Sequence, residues 1–145
     1  MKDARQAIKE IYSNPSVIED LIQDLVGRGL EANWCKALDY KGMVRIPDSW
    51  VPDRWRCTDV MWGIPLKEDA RTENGPSHII LMVRFQFKDA PDMGQRIHRH
   101  TDLLRREIAR RNAFGYPDNL PLLIPVVIYT GDEEWTAPKD EFNRL

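Results

Sequence analysis

The run Leu122-Leu-Ile-Pro-Val-Val-Ile-Tyr129 carries no charge and no polar alternation. A strand of this kind is apolar on both sides, so it predicts a sheet whose two faces are covered. The segment before it, about Met93 to Arg111, has Ile97, Leu104 and Ile108 at helical spacing, with His100, Thr101 and Leu103 beside that stripe. Asp89-Ala-Pro91-Asp92 supplies its start. Ahead of that helix, Ile79-Ile-Leu-Met-Val-Arg84-Phe-Gln86 reads as another strand. Strand, long helix, strand is a crossover, which is right-handed as a rule and makes the last strand parallel to Ile79–Phe87.

The rest of the sheet lies upstream. Arg56 to Pro65 is rich in β-branched and aromatic residues, and a polar loop, Lys67 to Ser77 with Gly75-Pro76, separates it from Ile79. The two runs therefore read as antiparallel neighbours, with Met43 to Ile46 as a first, edge strand. At the N-terminus, Asp3 to Tyr12 is a short helix with Ala7, Ile8, Ile11 and Tyr12 at core spacing. Ser13-Asn14-Pro15 stops it and starts a second helix, whose Val17, Ile18, Leu21, Ile22, Leu25 and Val26 form an apolar stripe ended by Gly27 and Gly29. Glu19, Asp20 and Asp24 are its solvated face. Trp34, Leu38 and Tyr40 suggest a turn of helix. The fold class is α/β with α+β character: a mixed sheet of about four strands, an antiparallel meander plus one parallel strand, flanked by helices.

At 145 residues the chain is one domain, 1–145. Within it, 1–30 holds the N-terminal helices, 43–87 the meander, 92–112 the crossover helix and 122–129 the last strand. The formal charge is −2, so any attraction to nucleic acid must come from a local surface. There is no apolar run of transmembrane length and no signal-peptide core, which predicts a cytoplasmic protein with no membrane partner. Cys35 and Cys57 lack metal-type spacing and read as reduced, partly buried thiols.

Chemistry is expected on the paired central strands. Asp59 is a lone carboxylate in the first, and Arg84 and Gln86, two apart, share one face of the second. Polar groups placed there are costly unless satisfied, which marks a site. On the crossover helix, Arg96, Arg99, Arg105, Arg106, Arg110 and Arg111 outnumber Asp92, Asp102 and Glu107. They read either as a phosphate-binding surface or as an ordinary charged face with cations at the helix C-terminus. Trp50 and Trp55, beside prolines, invite base stacking but fit the cover of a core edge better. His98 and His100 point to different faces and do not pair around a metal.

Lys9-Glu-Ile-Tyr-Ser-Asn-Pro15, Thr58-Asp59-Val-Met-Trp62-Gly-Ile-Pro65-Leu66, Phe85-Gln86, Met93 with Arg96, Leu120-Pro-Leu-Leu-Ile-Pro125-Val-Val-Ile-Tyr129-Thr-Gly131 and Trp135-Thr-Ala-Pro138 follow one another along the chain. Together they resemble the Rpn and YhgA-like transposase family, placed in the PD-(D/E)XK nuclease superfamily. The resemblance implies a PD-(D/E)XK-like core and a divalent metal, Mg²⁺, held by an Asp on one strand and a Glu-x-Gln on the next. The Asp falls on Asp59 and the Gln on Gln86, but Arg84 occupies the Glu position. Relatives also tend to carry an Asp on the first helix; Arg5 aligns there, with Asp3 close by.

Metal-assisted phosphodiester hydrolysis needs oxygen ligands around a hard cation. At about 4 Å and an effective dielectric near 20, two unit charges interact by roughly 4 kcal/mol, and a divalent ion facing Arg84 roughly doubles that. The expectation is that Arg84 pairs with Asp59 in the metal's place; otherwise Asp59 bonds a nearby backbone amide. Four functions follow. One is a nuclease-fold protein with an impaired site, kept for binding DNA or a partner. Another is an active Mg²⁺-dependent DNA endonuclease using Glu10, Glu19, Asp20 or Asp89 as the missing ligand. The chain can also be an interaction module pairing with an intact relative or a second copy, or an insertion-element fragment, with which its early stop after Trp135 is consistent.

Overall fold

The computed structural model of the chain describes residues 4–27 and 36–137. Two helices, α1 (Ala4–Ile11) and α2 (Pro15–Gly27), precede a short strand β1 (Val44–Arg45). Then come β2 (Val60–Pro65), β3 (His78–Gln86), the long helix α3 (Met93–Arg111) and β4 (Leu122–Tyr129). The sheet order is β1-β2-β3-β4, with β1–β2 and β2–β3 antiparallel and β3–β4 parallel. This is the mixed α/β architecture expected from the apolar patterning.

Alternation along the strands sorts the core into two layers. Val60, Trp62 and Ile64 of β2, with Ile79, Leu81, Val83 and Phe85 of β3, pack against Ile18, Leu21 and Ile22 of α2. Their neighbours in sequence, Met61, Ile80 and Met82, face the other way and pack against Leu104 and Ile108 of α3. Arg84 and Gln86 continue the Ile80–Met82 register, which puts them on the α3 side near the C-terminal end of β3. A third buried group, Cys57, Ala90, Met93, Ile97 and Ala137, closes that end of the helix.

Several expectations need correction. Arg56 to Thr58 are not strand: β2 begins at Val60, so Asp59 lies one residue before it. β4 is an edge strand, and beyond Ile124 its residues are only half-buried rather than enclosed. Leu38 makes an isolated bridge to Leu66, and the turn that follows is a short 3₁₀ segment, Tyr40–Gly42. Trp34, Cys35, Gly29 and Asp3 lie outside the described residues. Trp50 and Trp55 cover the edge of the α3-side core, as their setting among prolines suggests.

Candidate functional site

The site is assembled where β2 runs out. The β2–β3 ladder starts at Val60↔Val83, leaving the N–H of Phe85 without a strand partner on that side. Asp59 supplies one. Its own N–H donates to the Val83 carbonyl at 2.7 Å, and its Oδ2 accepts the Phe85 N–H at 2.7 Å. The carboxylate is 1% exposed, so its remaining oxygen also demands a partner. That partner is Arg5 of α1, whose Nη1 donates to Oδ1 at 2.6 Å. Arg5 is itself 32% exposed and also lies over the Phe87 ring, 5.5 Å from its centroid.

Arg84 is the second cation rather than the first. Its Nη1 stands 3.9 Å from Asp59 Oδ1, beyond hydrogen-bonding distance, while its Nε donates to Gln86 Oε1 at 3.2 Å. Burial, then the like charge of Arg5, lower the Arg84 pKa from its ordinary value, and Asp59 only partly opposes this. Arg96, from the first turns of α3, adds to the repulsion. Cys57 lies in the same field. Burial pushes its thiol up to about 11, against the pull of Arg96 and Arg84, so it is a neutral thiol at physiological pH.

This donor set does not fit a divalent metal. One Asp59 oxygen accepts a guanidinium and the other a backbone N–H, while Gln86 Oε1 accepts from Arg84. Among the described residues, no three His, Cys, Asp or Glu side chains converge in a way that could hold a metal ion. Asp89 is engaged elsewhere, accepting from the Thr136 N–H at 2.9 Å and from its hydroxyl. Glu19 and Asp20 sit on α2, whose buried Ile18, Leu21 and Ile22 are the residues that face the sheet.

The arginines of α3 divide. By helical phase, Arg96, Arg99, Arg106 and Arg110 share one flank, spaced three, seven and four apart, whereas Arg105 falls on the other, 3.9 Å from Asp102. The guanidinium of Arg99 stacks over Trp55 and that of Arg111 over Trp50, each 4.5 Å from the ring centroid. Glu107 takes hydrogen bonds from Arg110 at 2.6 Å and Arg111 at 2.7 Å, which bring its pKa down to about 2.

A helix-flanked mixed sheet with a buried acid beside its central strands defines the class of protein. Within that class, a family model described as "Putative transposase, YhgA-like" matches residues 5–145, and the chain belongs to that family. No curated protein and no solved structure matches the chain. No helix among the described residues is long and apolar enough to cross a membrane.

Two features escaped the sequence reading. Arg5, 54 residues from Asp59, reaches the carboxylate before Arg84 does; its alignment with an acidic position of the family was the one available signal. His100 is fully buried and accepts the Cys57 N–H on Nδ1 at 3.2 Å, so its proton sits on Nε2, near Thr58 Oγ1 and Met61 Sδ. It is a satisfied core histidine that holds the chain leading into Asp59.

Proposed function

We propose that this chain binds DNA without cutting it, its PD-(D/E)XK-type metal centre having been replaced by an arginine-neutralised carboxylate. The observation that carries this is the engagement of both Asp59 oxygens, by Arg5 and by the Phe85 N–H. A metal there would have to break a partly buried ion pair and face two guanidiniums, a repulsion of several kcal/mol at an effective dielectric near 20. DNA binding is supported by the α3 flank. Stacking on Trp55 orients Arg99 without consuming its N–H donors, which remain free to meet phosphates.

Two measurements test the reading. Supercoiled plasmid incubated with the protein and Mg²⁺ or Mn²⁺ stays supercoiled; nicking that Asp59→Ala abolishes overturns the proposal. Charge reversal of Arg106 and Arg110 together weakens duplex binding and flattens its salt dependence by roughly 0.9 for each phosphate that is no longer neutralised. Unchanged retention on immobilised DNA would remove α3 as the binding surface.

A further inference from the structure

Arg5 and Arg84 bring two positive charges to one carboxylate, and Arg96, whose carbonyl accepts from the Cys57 thiol at 3.5 Å, adds a third beside Arg84. Asp59 is already committed to Arg5, and Cys57 is a neutral thiol. The terminal nitrogens of Arg84 make no hydrogen bond among the described residues, although the side chain is only 16% exposed. Arg96 is half-buried and in no ion pair among the described residues. Water solvates such groups poorly once most of their surface is covered, so an excess of two positive charges here is held at a cost. An anion with several oxygens at tetrahedral spacing relieves it, because two guanidinium forks can each engage a pair of phosphate oxygens.

We propose that Arg84 and Arg96 form a metal-independent seat for one phosphodiester group of bound DNA, at the place where the family's metal is expected. This rests on the DNA-binding reading above and assigns the point of attachment within it. A polymer fits better than a free phosphate because Arg96 also begins the α3 flank. From Arg96 to Arg110 the helix advances about 21 Å, at 1.5 Å per residue, and Arg99 and Arg106 lie between them on the same side. One strand can therefore follow the helix and end in the seat. Arg5 keeps Asp59 from repelling the incoming phosphate, and Gln86 fixes the Arg84 fork through its Nε.

The test is fluorescence anisotropy with a labelled DNA duplex in EDTA. Arg84→Gln and Arg96→Gln each weaken binding about tenfold, the value of one charge-assisted hydrogen bond, and combining them lowers the salt slope by about 0.9, the share of the single phosphate that both side chains hold. Their double variant loses less than the product of the two, since both serve one phosphate, and Arg84→Lys recovers part of the loss. In parallel, orthophosphate is titrated into the unaltered protein while the Arg Nε–H signals are followed by NMR. A response of the Arg84 signal that duplex DNA suppresses supports the seat. If Arg106→Gln weakens binding while Arg84→Gln and Arg96→Gln do not, the seat is overturned and the DNA-binding reading stands. If none of the three matters, both fall. An Arg84 response to orthophosphate that DNA leaves untouched assigns the seat to a free anion and also overturns the proposal.

Discussion

His100 shows how one buried side chain sets the acid tolerance of the fold. Burial lowers its pKa from 6.5 to about 4, outweighing a backbone hydrogen bond with Trp55 that favours the charged ring. The unfolded chain therefore takes up a proton on this residue between those values while the folded chain does not, and stability rises with pH across that window. The contribution is complete above pH 6.5 and falls away as pH drops towards 4, by about 3 kcal/mol at 1.36 kcal/mol per unit. Urea midpoints measured between pH 7 and pH 4 should follow this slope, and His100→Gln should flatten it. The sequence placed His100 beside the apolar stripe of α3, but only the fold reveals that its ring holds the Cys57 amide. Asp59 and Arg84 were likewise legible as an uncommon pair on neighbouring strands. The nearer cation was not, because nothing in local spacing fixes where the first turn of α1 meets the end of the sheet.

Strands and helices were read more securely than their neighbours in space. The parallel β3–β4 pair and α3 follow from apolar runs and helical spacing, and they are where the pattern put them. The misplacement of β4 as an enclosed strand had an overlooked signal in Pro125, since a proline within a strand argues for a sheet edge. Gly63 in the central strand β2 marks a different thing, the close approach of another side chain. A Cβ built there would overlap the Phe114 ring, which also packs against Trp50 and His78. Gly63→Ala must therefore displace that ring, and a loss of about 1–3 kcal/mol is expected from overpacking. Thermal unfolding of the purified variant measures it; an unchanged midpoint would mean that the Phe114 loop yields freely. The arginines of α3 were recognised as a group, but their division into two flanks needed the helix phase, which sets Arg105 apart.

Across the molecule, local stability is uneven, and α1 lies at its weak end. None of its residues is buried. It is held by Arg5 to Asp59, by Lys9 to Asp48 at 3.0 Å, and at its end by the Tyr12 carbonyl accepting from Trp62 Nε1 at 3.0 Å. Amide hydrogen exchange should thus be faster in Ala4–Ile11 than in His78–Gln86. Arg5→Ala should widen that gap and cost about 2 kcal/mol overall, less than the roughly 3–5 kcal/mol of a fully buried pair, because Arg84 remains near the abandoned carboxylate. The layering also sorts charge. On one side of the sheet, α2 carries Glu19, Asp20 and Asp24 and no basic residue; on the other, α3 carries six arginines against Asp102 and Glu107. In a chain that is nearly neutral in sum, these two helices thus carry opposite charge on opposite sides of the sheet. For the DNA binding proposed above, the consequence is kinetic: arginines gathered on the α3 side steer a polyanion toward that face, so the association rate should fall steeply as salt is added.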